Sequence, residues 1–277
     1  MVDAQKVLLV GRETTCILCE SISLVLDIMK IVSWNCNGAL RKKTQQLSTL
    51  EADVYVIQEC EDPKQTAVQV YKDWHKNYLW VGNNKNKGIG IFAREGISLE
   101  LMSLDSGRLE YFLPCLVNNS FFLLAVWTRE ANSPTFKYIG QMWKYLQQHK
   151  THFQDQDVVI LGDFNSNSCW DAWDRWWNHS DVVRELEELG IVSLYHAQNG
   201  EEQGKEKQAT FYMYRKPEKP YHIDYAFISK GMLPGSKIVV CSPSDWLEFS
   251  DHMPLAVDLM VEKLPQADTG IWGCLAQ

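Results

Sequence analysis

Short apolar runs separated by polar turns recur along the whole chain, and most have the length of β-strands. Their enrichment in branched and aromatic residues is typical of strands buried in a sheet. Many lie about ten residues apart, a spacing that favours antiparallel neighbours over crossover connections. The predicted strands cover residues 29–34, 53–57, 78–81, 88–93, 97–104, 108–117, 120–127, 158–161, 221–228, 237–240 and 255–260.

Three segments have the periodicity of helices. Residues 41–50 form a short one, and residues 134–149 a longer one with Ser133 as its N-cap and Pro134 in its first turn. Residues 180–189 form the third, capped by Ser180. The stretch 199–208, rich in Gly, Glu, Gln and Lys, is predicted to be a mobile loop.

The size and composition of the chain suit one large α/β or β-sandwich domain, or at most two domains. The chain has 277 residues, of which 45% are hydrophobic and 12% aromatic, enough for a sizeable core. Because no repeat or long flexible linker interrupts the chain, we favour one domain over residues 29–262. Residues 1–28 would be an N-terminal extension of uncertain role, and residues 263–277 a C-terminal tail.

The first 28 residues are apolar in places, but charged residues interrupt them. No run approaches the roughly 18 residues of a membrane span, and the features of a signal peptide are missing. We therefore expect no membrane association. Eight dispersed cysteines are typical of a reduced, cytoplasmic protein. The single CxxC of Cys16 and Cys19 is only a weak indication of a zinc or redox site.

The charge of the chain limits how it can bind a polyanion. The formal net charge is −8 and the pI near 5.4, so there is no global attraction to nucleic acid or to an anionic membrane. Any nucleic-acid binding must use local basic groups, such as those in 83–87, 42–43 and 215–216, although each is also consistent with a solvated loop. The tryptophan cluster at 170–177 would either stack on bases or pack as the core of a loop or helix.

Polar side chains collect where the predicted strands end. In layered α/β proteins these ends are where ligand sites form. Oxygen ligands with few Cys or His suit a hard cation, so we expect Mg²⁺ (or Mn²⁺), and the matching chemistry is phosphoester hydrolysis. The candidates are Asn35, Asn37, Glu59, Asp163, Asn165, Asp224, Asp251 and His252.

Five short motifs, in order, resemble the signatures of the endonuclease/exonuclease/phosphatase superfamily. They lie at residues 34–38, 58–59, 162–165, 223–225 and 250–252. The resemblance spans residues 30 to about 260 and is specific because all five occur in sequence. It implies a four-layered α/β-sandwich, with two mixed β-sheets packed face to face and helices outside, and a divalent-metal phosphoesterase.

The resemblance also implies roles for individual residues. Asp163 would orient and deprotonate the attacking water, while Asn165 hydrogen-bonds the phosphate. His252, kept cationic by Asp224, would stabilise the charge of the transition state. Glu59, with Asn37 and Asp251, would hold the metal, and Asn35 would contact the phosphate or the metal site.

The chain departs from the superfamily after its central strand. Some members carry Tyr or His there, whereas this chain has Trp127-Thr128-Arg129. Because Trp127 neither ionises nor accepts a hydrogen bond, any substrate contact there passes to Thr128 or Arg129. Asn37 and the start of the domain resemble the exonuclease III and apurinic/apyrimidinic endonuclease branch, but abasic-site specificity is not implied.

We therefore expect a metal-dependent nuclease acting on DNA or RNA, with nucleic acid as its substrate and no obligate protein partner. One alternative is a phosphatase or phosphodiesterase acting on a small or lipid-linked phosphate, which the acidic charge permits. Another is a binding module that kept the fold and lost catalysis, although the complete set of Glu59, Asp163, Asp224 and His252 argues against it.

Overall fold

Two six-stranded mixed β-sheets form the centre of a computed structural model that describes residues 26–131 and 133–262. The first sheet has the order β13-β14-β1-β2-β4-β3. Only β1 and β2 are parallel within it. In that order, its strands are Lys237–Val240, Leu255–Glu262, Leu26–Asn35, Val54–Cys60, Lys87–Ala93 and Asn77–Asn84.

The second sheet has the order β5-β6-β7-β8-β12-β9, and only β7 and β8 are parallel. A separate hairpin joins β10 (Phe211–Tyr212) to β11 (Pro220–Tyr221). In the order given, the strands of the second sheet are Leu99–Leu101, Phe112–Val117, Phe121–Trp127, Val158–Asp163, Asp224–Ser229 and Ile191–Ser193.

The six α-helices among the described residues are short. Several 3₁₀ turns supplement them, including Leu40–Lys42 just before α1. The helices are α1 (Thr44–Ser48), α2 (Gln69–Trp74), α3 (Ile139–His149), α4 (His179–Glu188), α5 (Leu194–Asn199) and α6 (Pro243–Trp246).

The main core lies between the two sheets, and helices cover their outer faces. All seven residues of β7 are buried, as expected for a central strand covered on both faces. Helices α3 and α4 pack their apolar faces on the second sheet in a separate cluster. Beside the first sheet, the Trp74 ring of α2 lies 5.1 Å from Tyr55 and 5.3 Å from Phe92. These layers confirm the predicted α/β-sandwich.

Two helix starts differ from the prediction. Helix α3 begins at Ile139 and not at Pro134, because Tyr138 has a positive φ of 50° that interrupts the helix. Ser133 closes only a local turn, in which its Oγ accepts a hydrogen bond from Phe136 N at 3.0 Å. Helix α4 begins at His179, one residue before Ser180. Its first turn is closed by Asn178 N donating to the Asp181 carboxylate at 2.8 Å.

Some strand ends also differ. Strand β1 begins at Leu26, three residues before Met29, because residues 26–29 pair with residues 259–262 of β14. Strands β5 and β6 are shorter than predicted, since the chain between Leu101 and Phe112 leaves the sheet. The Cys16–Cys19 pair and the tail at 263–277 lie outside the described residues, as does most of the predicted extension 1–28, so those assignments stay predictions.

The predicted loop at 199–208 is attached to its surroundings by a buried carboxylate. Glu206 accepts hydrogen bonds from His196 at 3.1 Å and from Asn167 at 3.1 Å. Its mobility stays a prediction. Among the described residues, none of the helices combines the length and the apolar character that a membrane crossing requires.

Candidate active site

The predicted site residues meet at one edge of the sandwich. Strands β1 and β2 run parallel and end there at Asn35 and Glu59-Cys60, and β7 and β8 end at the same edge of the second sheet. The antiparallel strand β12 begins there, with Asp224 directly paired to Asp163. The strand pairing therefore brings together two acids, Asp163 and Asp224, that are 61 residues apart in the chain.

Gly162 allows the end of β8 to lie close against β7. Its φ is +150°, and a Cβ at this position would lie 1.8 Å from the carbonyl oxygen of Val126. No other residue tolerates such an approach, so the glycine is required by the backbone itself. The strand then delivers Asp163 to the edge in register with Asp224.

Asp163 is buried and accepts three hydrogen bonds from amides. Its Oδ2 accepts from Asn35 Nδ2 at 2.9 Å and from Asn165 Nδ2 at 2.8 Å, and its Oδ1 accepts from Asn165 N at 2.8 Å. Burial, with the nearby charge of Asp224, raises the pKa of Asp163 well above its ordinary value, although His252 opposes this. An Asp with a raised pKa is a stronger base than an ordinary carboxylate.

His252 lies between two carboxylates. Its Nδ1 is 2.9 and 3.2 Å from the two oxygens of Asp224, and its Nε2 is 4.0 Å from Asp163 Oδ2. Burial disfavours the charged imidazolium, but the negative charges of Asp224 and Asp163 outweigh it and raise the pKa of His252 to about 9. At neutral pH the ring is therefore a cation held in a fixed orientation.

Glu59 lies at an irregularity of β2. The pairing with β4 shifts register between Gln58 and Cys60, and Glu59 has a φ of +61°. Such a bulge turns a side chain away from the regular alternation of the strand. Its carboxylate accepts from Asn35 Nδ2 at 3.3 Å and pairs with Lys87 Nζ at 2.6 Å.

Asn37 and Asp251 lie together on the other side of Asn35. Asn37 Nδ2 donates to Asp251 Oδ1 at 2.9 Å, and Asn37 N donates to Asn35 Oδ1 at 3.0 Å. Asn35 thus links this pair to Glu59 and Asp163. Hydrogen bonds through the Asn35 side chain therefore link the predicted metal-site residues Glu59, Asn37 and Asp251.

Two groups of side chains have the chemistry to hold a cation. Asp163, Asp224 and His252 offer ligand atoms within 4.8 Å of one another, but the two oxygens of Asp224 already face the imidazole. Glu59, Asn37 and Asp251 offer oxygen donors only, and Glu59 already attracts the ammonium of Lys87. Because hard oxygen donors suit Mg²⁺, the second group fits such an ion better.

Two cations lie close to the ring of the buried Trp127 beside the site. The guanidinium of Arg129 is 4.8 Å from the Trp127 ring centroid, and Lys87 Nζ is 5.7 Å from it. Both line a recess of about 370 Å³ together with Glu59 and Asn165. Arg129 thus lines this recess, and its contact with a substrate stays a prediction.

The predicted substrate contact of Thr128 needs correction. Thr128 is fully buried, and its hydroxyl donates to the carbonyl of Phe164. Its own carbonyl accepts from Asn165 Nδ2 at 3.1 Å. Since these bonds use its polar groups, Thr128 orients the turn that carries Asn165 and does not face the recess.

Several residues of the site were not predicted from the sequence. Thr210 Oγ1 accepts from Asp224 N at 3.0 Å, and the Phe211 ring lies 4.6 Å from the His252 ring. Ser250 Oγ donates to Asn35 O at 2.7 Å. Lys87 was recognised only as part of a basic loop. Thr210 and Phe211 lie outside the five motifs, at the start of the short hairpin strand β10, so no local pattern identifies them.

Replacement of Asp224 by Asn should lower the pKa of His252 from about 9, because it removes the neighbouring negative charge and leaves only a neutral amide oxygen to accept from Nδ1. Imidazole resonances of the metal-free protein, followed by NMR from pH 5 to 10, would measure it. His179 provides an internal contrast, since burial lowers its pKa to about 4 and it should stay neutral over this range. An unchanged His252 titration in Asp224→Asn would contradict the assignment of Asp224.

Comparisons with known proteins concern the family and the fold of the chain. The model of the endonuclease/exonuclease/phosphatase family matches residues 32–252. A 3' phosphatase from Neisseria, solved with a product DNA hairpin, is 21% identical with a TM-score of 0.61 over 83% of this chain and 99% of its own. A 3'-5' exonuclease from Neisseria meningitidis has the same identity and coverage and a TM-score of 0.60.

An AP endonuclease from Archaeoglobus fulgidus is 17% identical, with a TM-score of 0.57 over 83% of this chain and 98% of its own. At these identities the likeness concerns the fold. No curated protein sequence matches the chain. The family match covers most of the two sheets and all five motifs. The chain therefore belongs to the endonuclease/exonuclease/phosphatase family.

Proposed function

We propose that the protein is a divalent-metal-dependent hydrolase that cleaves phosphodiester bonds of nucleic acid. The observation that carries this proposal is the pair formed by Asp163 and His252, with Asp224 behind the histidine and Glu59 across Asn35. In this pair, Asp163 would accept a proton from water, and the cationic His252 would stabilise negative charge on the phosphate. The solved structures of similar fold, a 3' phosphatase bound to DNA, an exonuclease and an AP endonuclease, support nucleic acid as the substrate class.

In the proposed mechanism, Asp163 accepts a proton from the attacking water. The amides of Asn35 and Asn165 hold its carboxylate in one orientation, and its raised pKa makes proton transfer more favourable. Asn165 lines the recess, but its Nδ2 already donates to Asp163 Oδ2 and Thr128 O, so a contact with a phosphate oxygen would replace one of these two hydrogen bonds. Asp163 and Asn165, the proposed base and the proposed phosphate ligand, are two residues apart on one turn.

His252 acts on the charge that builds on the phosphate. Its Nδ1 proton is held by Asp224, so the Nε2 proton is free to be donated to a non-bridging oxygen. Because the ring is buried and already cationic, little reorganisation is needed when the transition state forms. We therefore attribute a large share of the proposed rate enhancement to electrostatic stabilisation of the transition state by His252.

Glu59, Asn37 and Asp251 would hold the divalent cation, for which Mg²⁺ or Mn²⁺ is the best chemical match. Once bound, the ion supplies positive charge to the phosphate and favours the ionised form of water. Lys87 and Arg129 provide further positive charge at the recess, which an acidic protein of net charge −8 needs locally.

Replacement of Lys87 by Met should strengthen divalent-metal binding about two- to fivefold, because the ammonium 2.6 Å from Glu59 competes with the ion for that carboxylate. The effect is small since the Lys87 side chain is 45% exposed and its interaction is screened. Titration with Mn²⁺, followed by electron paramagnetic resonance without substrate, measures it directly. Lys85→Met on the same hairpin is the matched control, and equal affinities in all three proteins would contradict the competition.

The proposed function is tested by incubating the protein with Mg²⁺ and a panel of substrates. The panel contains single-stranded DNA, duplex DNA, RNA, an abasic duplex and small phosphomonoesters, each with an EDTA control. Cleavage of nucleic acid that requires the metal supports the proposal. Release of phosphate from monoesters alone would favour the small-molecule phosphatase, and no turnover of any substrate would favour the non-catalytic reading.

A further inference from the structure

The exposed aromatic side chains are concentrated around the proposed active site. Within residues 26–131 and 133–262, five Trp or Tyr side chains are largely exposed, and all belong to segments that leave the site edge. The exposed aliphatic side chains, such as Ile28 and Leu101, are spread over other parts of the fold. The five are Tyr138 after β7, Trp170, Trp173 and Trp176 after β8, and Tyr214 after β10.

A continuous row of rings connects this aromatic rim with the catalytic histidine. The Phe211 ring lies 4.6 Å from His252 and 6.3 Å from Tyr221, and Tyr221 lies 5.3 Å from Trp170. Trp170 is itself 44% exposed. The rim is therefore continuous with the site and not a separate patch.

The rim also reaches the other side of the recess. The Trp176 ring lies 4.9 Å from Trp177, and Trp177 packs against Phe136 at 4.6 Å. Two residues further, Tyr138 lines the recess that contains Glu59. The segment 170–177 thus bridges both flanks of the site edge.

Two tryptophans are exposed on a segment whose backbone is ordered by hydrogen bonds. Trp173 is 98% exposed and Trp176 is 64% exposed. The segment that carries them is nevertheless fixed by polar contacts. Arg175 donates to Trp170 O at 2.6 Å, Asn178 Nδ2 donates to Ala172 O at 3.0 Å and to Arg175 O at 2.9 Å, and Asp171 accepts from His179 N at 2.8 Å. Because this backbone is already ordered, binding a ligand to the tryptophans would not carry the cost of ordering the segment.

We infer that the rim formed by Tyr138, Trp170, Trp173, Trp176 and Tyr214 binds an unpaired strand of nucleic acid by stacking on its bases. This inference rests on the proposed function and specifies its substrate as single-stranded or looped. In a duplex the base faces are covered by neighbouring bases, whereas an unpaired strand presents them to aromatic rings. The net charge of −8 gives no global attraction to phosphates and leaves that attraction to a few local cations, so stacking on the bases supplies additional affinity.

The test measures binding of a fluorescent oligothymidylate by anisotropy, in EDTA so that no cleavage occurs. Trp173→Ala and Trp176→Ala should each weaken binding about fivefold to a hundredfold, the range for loss of one base-stacking contact. A strand of equal length whose bases are replaced by abasic sugars keeps the phosphates and should bind the wild type at least as weakly as either variant binds the intact strand. A blunt duplex should also bind weakly.

Ile28→Ala is the matched control, because Ile28 is 59% exposed at the opposite end of β1 from Asn35. Equal binding of the intact and the base-free strand, or unchanged binding in both tryptophan variants, would overturn the inference. Co-sedimentation with phosphatidylcholine vesicles that depends on Trp173, without stacking on the oligonucleotide, would also overturn it in favour of a lipid surface. If the strand binds as expected but no phosphodiester is cleaved with Mg²⁺, the proposed function fails and the stacking surface stands.

Discussion

Replacement of Asp163 by Asn is expected to reduce the rate of nucleic-acid hydrolysis by roughly a thousandfold or more. General-base catalysis alone contributes about 10² to 10⁴ in rate, and an amide has no basicity at this pH. The loss is compounded because the new amide has a single acceptor oxygen, so either the two donors at Oδ2, Asn35 Nδ2 and Asn165 Nδ2, or the donor at Oδ1, Asn165 N, faces an NH2 group. Initial rates on the cleaved substrate, at saturating Mg²⁺, measure the effect.

Asp157→Asn is the matched control for this variant, because Asp157 is exposed and lies just before the other end of β8. Its rate should equal that of the wild type. Circular dichroism should show both variants folded at the assay temperature. A folded Asp163→Asn protein that retains more than about a tenth of the rate would remove Asp163 from the mechanism, since a tenfold loss is less than a positioned base contributes.

Replacement of Gly162 by Ala is expected to destabilise the fold by about 3 to 5 kcal/mol. Its Cβ would lie 1.8 Å from Val126 O, a backbone atom that moves only if β7 and β8 separate. Overpacking of this kind costs about 1 to 3 kcal/mol or more, and backbone strain at a φ of +150° adds about 1 to 3 kcal/mol. Urea denaturation followed by tryptophan fluorescence gives the free energy of unfolding.

Gly96→Ala separates the two causes of this destabilisation. Gly96 also has a positive φ, +89°, but nothing lies within 4 Å of the position its Cβ would take. It should therefore cost only about 1 kcal/mol, the strain of the backbone alone. A Gly162→Ala protein no less stable than Gly96→Ala would show that the contact between β7 and β8 is looser than the structure describes.

The strands were the most predictable part of the fold. A strand such as β7, buried at all seven positions, is recognisable because its apolar run is too short for a typical buried helix and is flanked by polar residues. Helix starts were less predictable. The start of α3 depends on the conformation of Tyr138, which periodicity does not report.

The tryptophan cluster at 170–177 is another feature whose structure the sequence pattern did not predict. The sequence left open whether residues 170–177 stack on bases or pack in a core. Packing accounts for Trp177, which contacts Phe136, whereas Trp173 is almost fully exposed. Composition alone does not distinguish these outcomes, because the difference arises from the polar contacts of Asp171, Arg175 and Asn178.

The sequence by itself determined which chemical groups stand at the strand ends, and in what order. Asp163, Asp224 and His252 follow or begin apolar runs, and an ionisable residue in such a place is costly unless it is paired or functional. The tertiary structure alone decided how they pair. Strand register placed Asp224 opposite Asp163. A bulge in β2 turned the Glu59 side chain out of the regular alternation of the strand. The tertiary structure also turned Thr128 inward and brought Lys87 to Glu59. These outcomes depend on contacts between residues far apart in the chain, which local propensity does not encode.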